Sequence, residues 1–241
     1  MEIGKMKITA IKRALPAASV LALLVFAAPV HAQESLLDGW YVGGSLGLAR
    51  NTAGKNDLFG NPALCLTAAY TCSADKTGLA FQAFVGKNIT PFLAVEIGYA
   101  NLGKSAAFKY TQPLSSGKLT QRTQVLTFEL LGKYHFSDTP FSIFGKGGVG
   151  VWFSKMKYDR TPNSATFYDR TTHDSGVTPI IGAGIEFDTN SAVKIRAGVD
   201  HFFITGKRKV PFDVGNNVIT TAKTGATVFY IGTTINFPVS N

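Results

Sequence analysis

Several groups of residues in this 241-residue chain have the types that chemistry requires. His173-Asp174-Ser175 offers a base, an acid and a hydroxyl. Three adjacent residues cannot converge as nucleophile, base and orienting group, which must meet from separate positions. Asp200-His201 falls on an alternating run that sends the two to opposite faces, and His135 adjoins a turn. Gly145 to Gly150 is glycine-rich, but no Lys-Ser or Lys-Thr follows, as a phosphate cradle would need. Glycine there suits close packing. Six residues separate Cys65 and Cys72, in a segment rich in Asn, Thr, Ala and Gly. In an oxidising compartment that spacing predicts a loop disulfide. Neither His nor acidic pairs cluster nearby to make a metal site, and no cofactor is expected.

What remains is charge. Glu96, Lys146, Glu186 and Arg196 each fall on the small, polar face of an alternating run. A second set is basic and lies between runs. Segment 103–123 has Lys104, Lys109, Lys118 and Arg122 and no acid; segment 204–225 has Lys207, Arg208, Lys209 and Lys223 against Asp213. The formal charge is +9, of which Lys5, Lys7, Lys12 and Arg13 against Glu2 supply +3, leaving +6 beyond the N-terminal segment. Such an excess suits a polyanion. Bases gathered between the runs point to phosphate or sulfate groups of a polyanion other than nucleic acid.

The elements that must position these groups have one rhythm. Runs of about ten residues alternate apolar with small or polar, near 40–49, 79–87, 92–102, 124–136, 141–153, 177–187, 193–203 and 226–237. These are eight candidate strands bounded by turn residues. Connections alternate in length: 88–91, 137–140 and 188–192 are short, whereas 50–78, 103–123, 154–176 and 204–225 are long. Transmembrane barrels sort their loops this way, with short periplasmic turns and long extracellular loops. In run 92–102, Leu93, Val95, Ile97 and Tyr99 oppose Ala94, Glu96, Gly98 and Ala100; in run 193–203, Ile195 and Val199 oppose Arg196 and Asp200. One face suits lipid and the other a narrow lumen. A soluble ligand-binding barrel would invert that pattern. Aromatics gather at strand ends, with Trp40, Tyr41, Phe92, Phe136, Phe141, Phe187 and Phe237 at the short turns and Trp152, Phe153, Phe202 and Phe203 opposite. That placement predicts two interfacial girdles.

Residues 1–32 read as a cleaved secretory signal: a basic start, an apolar stretch from Ala17 to Ala28, and Val30 and Ala32 at the inspected positions. The barrel domain is then 33–241. No later run reaches transmembrane-helix length, so membrane entry requires a closed barrel, the other structure that satisfies its own backbone in lipid.

Trp40-Tyr41-Val42-Gly43, Pro91 to Gly103 (PFLAVEIGYANLG), Pro179 to Phe187 (PIIGAGIEF) and Ile231-Gly232 resemble the transmembrane domain of the outer membrane protein A family and the opacity-type surface proteins. The resemblance covers most strands and none of the long loops. It implies an eight-stranded antiparallel up-and-down barrel, inserted by the barrel assembly machinery, with a lumen crossed by charges. Glu96, Glu186 and Arg196 stand at matching positions, and Lys146 stands where the family carries a base. The family's lysine in the fourth strand is replaced here by Leu130, so that correspondence fails; Glu129 and Lys133 lie nearby on shifted parity and join the lumen set. The chain ends four residues after Phe237, so the family's periplasmic peptidoglycan-binding domain is not expected.

Taken together, the sequence predicts a monomeric, all-β barrel in a Gram-negative outer membrane. The expected role is structural and surface-interacting, through envelope integrity and contact of the basic loops with lipopolysaccharide or a host surface. A narrow ion-conducting pore is the alternative, and an outer-membrane enzyme acting on lipid A the second alternative; no catalytic residue is assigned.

Overall fold

Alternation at period two gives each strand one apolar and one polar face, and in the computed structural model that pattern closes on itself. The structure describes residues 39–52, 71–111, 115–162, 170–189, 192–207 and 223–237. The strands are β1 (Trp40–Asn51), β2 (Thr71–Asp75), β3 (Thr77–Thr90), β4 (Leu93–Thr111), β5 (Ser115–His135), β6 (Phe141–Pro162), β7 (Arg170–Asp188), β8 (Val193–Lys207) and β9 (Lys223–Asn236). Every pairing is antiparallel, and the ring runs β1-β3-β4-β5-β6-β7-β8-β9 and back to β1. The short β2 continues β3 beyond Lys76, because both pair with β4 in one register. The barrel therefore has eight staves and no open edge around its closed girth.

Register fixes its shape. From Tyr41, partners lead through Gly86, Glu96, Glu129, Gly148, Ile180, Phe202 and Ala226 to Asn51, ten residues further along β1. A shear of ten over eight strands tilts each strand by about 40°. The outer face carries the large apolar side chains: Leu79 is 71% exposed and Ile231 62%. The inner face carries the charges: Glu96 is 2% exposed and Arg196 1%. In water this arrangement would be inside out; in lipid it puts apolar groups against acyl chains. On β6 the outward band runs from Phe141 to Phe153, thirteen residues, or about 30 Å along the barrel axis.

The lumen is filled by a repeated pairing. Tyr41 lies opposite Gly86, Phe84 opposite Gly43, Phe144 opposite Gly184, Trp152 opposite Gly176 and Tyr230 opposite Gly198. Each ring lies over its glycine, so that a Cβ there would strike the ring. This is how an interior only as wide as its side chains accommodates five large rings.

Two sequence expectations are corrected. Segments 103–123 and 154–176 are mostly strand: β4 runs to Thr111, β5 starts at Ser115, β6 reaches Pro162 and β7 starts at Arg170. β6, at 22 residues, extends about 55 Å along the axis, well beyond a hydrocarbon core of about 30 Å. Beyond the membrane the outer face meets water and the inner face carries polar groups such as Gln121 and Thr123, so the apolar alternation that marks a strand disappears while the backbone ladder continues. The girdles are also smaller than expected. Tyr41, Trp152 and Phe202 face the lumen, each 1% exposed or less, because parity rather than nearness to a strand end decides the face. Outward, Lys87 lies 5.4 Å over the Trp40 ring at the short-turn end.

Candidate functional site

The inward charges form two knots. In the first, Arg196 on β8 donates from Nη1 to Glu96 Oε1 (2.7 Å) and from Nη2 and Nε to Glu186 Oε1 (2.6 and 2.9 Å). The Phe84 and Phe144 rings hold its guanidinium at 4.8 and 4.9 Å. The Tyr41 hydroxyl donates to Glu96 Oε1 (2.9 Å). Lys133 approaches Glu186 Oε2 at 3.8 Å and donates to Asn88 Oδ1 (3.4 Å), with its ammonium 4.7 Å from the Tyr41 ring centre. Planar guanidinium, carboxylates and rings fit one another in the way that makes arginine the base for enclosed ion pairs.

In the second knot Lys146 on β6 bridges Glu129 Oε2 (2.8 Å) and Asp200 Oδ2 (2.9 Å). Gln82 Nε2 also donates to Asp200 Oδ2 (2.9 Å), and the Ser45 hydroxyl donates to Gln82 Oε1 (3.2 Å). The Tyr230 ring lies 5.6 Å from the Lys146 ammonium. A third, uncharged layer closes the long-loop end: Gln121 Nε2 donates to Ser154 Oγ (3.2 Å) and Thr123 Oγ1 to the Thr205 carbonyl (3.2 Å). At the short-turn mouth Lys194 meets Asp188 at 3.1 Å. The cavity bordered by Glu96, Glu129, Lys146 and Asp200 measures ≈ 10 Å³, about what a single water needs and far less than a hydrated ion.

All six charges assigned to the lumen from sequence, Glu96, Glu129, Lys133, Lys146, Glu186 and Arg196, are brought together here, and Leu130 faces outward. Sequence reasoning put Asp200 on the lumen face without assigning it to the network, and missed Tyr41 and Gln82. Asp200 had a visible signal, since it shares parity with Arg196 four residues away on β8. The basic set is divided. Lys104, Lys109, Lys118 and Arg122 are exposed on the β4–β5 hairpin; Lys207 ends β8, and Arg208 and Lys209 lie outside the described residues. Cys72 is in β2, while Cys65 lies outside the described residues, as do 1–32. His173 and Ser175 face outward on β7 and Asp174 takes the opposite parity, so the three do not meet. His201 faces away from Asp200, with Nδ1 2.9 Å from Thr227 Oγ1. Among the described residues no three His, Cys, Asp or Glu side chains gather as a metal site.

The chain is 27% identical over 159 residues to outer membrane protein A of Klebsiella pneumoniae, an alignment covering 65% of this chain and 41% of that protein. It thus spans less than half the length of that curated relative. Among solved structures it resembles Neisserial surface protein A (14% identity, TM-score 0.44, covering 83% of this chain and 97% of that one). It also resembles OprG from Pseudomonas aeruginosa (12%, TM-score 0.45, 82% and 95%) and Ail of Yersinia pestis (12%, TM-score 0.40, 82% and 98%). The model of the OmpA-like transmembrane domain matches residues 36–221. A β-barrel with a lipid-facing exterior and an ion-paired lumen, matched by that model over most of its length, is a Gram-negative outer-membrane barrel, and the chain belongs to the OmpA-like transmembrane domain family.

Proposed function

We propose that this protein is a rigid, ion-tight scaffold of the outer membrane whose function lies in what its long-hairpin end contacts. The carrying observation is the lumen: its charges are paired at 2.6–3.8 Å and the cavity beside them measures ≈ 10 Å³. Passing an ion requires parting one of these pairs. Removing a partner from an enclosed pair costs about 3–5 kcal/mol, which sets the open fraction at about 10⁻² to 10⁻⁴. By the usual sorting of loops, the short turns face the periplasm and the long hairpins the exterior. The exposed Lys104, Lys109, Lys118 and Arg122 then form a basic surface for anionic envelope or host ligands. The barrel assembly machinery would insert the chain, which acts as a monomer and carries out no catalysis.

Planar-bilayer recording of refolded protein tests this, with folding checked by heat-dependent gel mobility. Openings occupying less than about 1% of the record are expected. Sustained conductance would overturn the scaffold reading and favour a narrow pore. One observation supports that second reading: the lumen network has four acids, Glu96, Glu129, Glu186 and Asp200, against Lys133, Lys146 and Arg196. Lys146 is therefore shared by two carboxylates and has an alternative partner always at hand.

A further inference from the structure

Above the lipid-facing band, the outer wall of β4 to β7 carries a row of bases. Lys104 pairs in register with Arg122, Arg122 with Lys155, and Lys155 with His173. Cross-strand partners share a face, and this face is the outer one, since the flanking Gln121, Thr123 and Ser154 are buried and all four bases are exposed.

Lys104 reaches the row through a break in alternation. Inward residues of β4 are even-numbered as far as Leu102, which would send residue 104 into the lumen. Gly103, at φ 61°, donates its N–H to Asn101 Oδ1 (2.8 Å), and β4 gains one residue relative to β5 between Asn101 and Lys104. The bulge turns Lys104 outward. Gly103 is required there, because a Cβ would strike the Leu79 carbonyl oxygen.

Like charges directly opposite each other destabilise a sheet. Among the described residues none of the four forms an ion pair. The neighbouring acids are engaged: Asp159 meets Lys157 at 2.8 Å, and Asp75 accepts the Thr77 N–H at 3.1 Å. A cleft of ≈ 450 Å³ opens beside the row, lined by Arg122, Lys155, His173, Gln124, Phe153, Ser175 and Asp174, whose Oδ1 accepts the Ser175 N–H.

We propose that this row and cleft bind a phosphate of lipid A in the outer leaflet. An arginine fork beside lysine point charges suits a phosphate. On β6 the row stands two residues beyond Phe153, about 5 Å along the axis, which is headgroup depth. It points sideways into the neighbouring lipid, while Phe153 offers apolar surface to the acyl side. The inference rests on the proposed orientation of the barrel and is independent of whether the lumen conducts.

Native mass spectrometry of the refolded full chain, offered diphosphoryl lipid A or its dephosphorylated form, tests it. Wild type is expected to prefer the diphosphoryl lipid by at least about tenfold. The R122Q/K155Q double variant should lose that preference, and K87Q, at the opposite end of the outer wall, should keep it. Equal binding of the two lipids by wild type overturns the proposal, as does an undiminished preference in the folded double variant. Saturation of the row by a heparin fragment that lipid A does not displace overturns it as well. A conducting lumen in the same preparation would overturn the scaffold reading and leave this result standing.

Discussion

Replacing Arg196 with methionine keeps most of the volume between the Phe84 and Phe144 rings and deletes the charge that Glu96 and Glu186 share. Three charge-assisted hydrogen bonds disappear, at 2.6, 2.7 and 2.9 Å. At about 1.5–3 kcal/mol each, their sum would be about 4.5–9 kcal/mol. Two groups limit the loss: Glu96 keeps the Tyr41 hydroxyl at 2.9 Å, and Glu186 keeps Lys133 at 3.8 Å. The loss therefore falls at or below the bottom of that sum, about 3–5 kcal/mol, as for other enclosed pairs that lose one member. Urea unfolding in phospholipid vesicles, followed by tryptophan fluorescence, measures it. The triple variant E96Q/E186Q/R196M removes the stranded carboxylates together with the base and should recover more than half of the loss. A single-variant loss under about 1 kcal/mol, or a triple variant no more stable than the single, would refute the reasoning that paired charge holds the lumen shut.

Two further substitutions test the two faces. Ile231 lies six residues from Phe237 on the outward parity of β9, near mid-depth, so I231R should cost about 2–4 kcal/mol in the same vesicle assay; no loss would mean that this face does not meet lipid. A Cβ at Gly184 would strike both the Phe144 ring and the Ala197 carbonyl oxygen, so G184V should cost about 1–3 kcal/mol and lower the yield of the heat-modifiable folded form. In that variant, F144A should restore part of the yield, and failure to do so would assign the loss to the carbonyl contact instead of the ring.

Period two was sufficient to place the staves, because both environments of a small barrel enforce it: lipid rejects charge, and the lumen rejects bulk. Ile181, Ile185 and Ile195 could face only outward, and Glu186 and Arg196 only inward. Where an environment stops enforcing the pattern, the sequence stops showing it. The β4–β5 hairpin above the membrane has water on its outer side and hydroxyl or amide groups such as Gln121 and Thr123 on its inner side. Polarity then no longer distinguishes strand from loop. Tyr41, Trp152 and Phe202 were misplaced for a related reason. An aromatic near a strand end suits an interfacial girdle by composition, but for Tyr41 and Trp152 a partner glycine on another strand makes room inside, whereas Phe202 turns inward between Ile180 and Ala226.

The same logic bears on where interaction surfaces arise in so small a barrel. Eight strands leave an interior that their own side chains fill; here rings over glycines and two ion-paired knots occupy it. A ligand must then meet the outer wall or the hairpin tips. On the wall, each strand offers every second residue, and within the membrane those positions must stay apolar. Polar recognition can start only where the band ends, beyond Phe153 on β6. That is where β4 departs from alternation and turns Lys104 out beside Arg122 and Lys155. A bulge needed only for closure could leave any small residue at that position. Placing a lysine there puts like charges opposite each other, which the fold alone does not reward and an anion in the headgroup layer does.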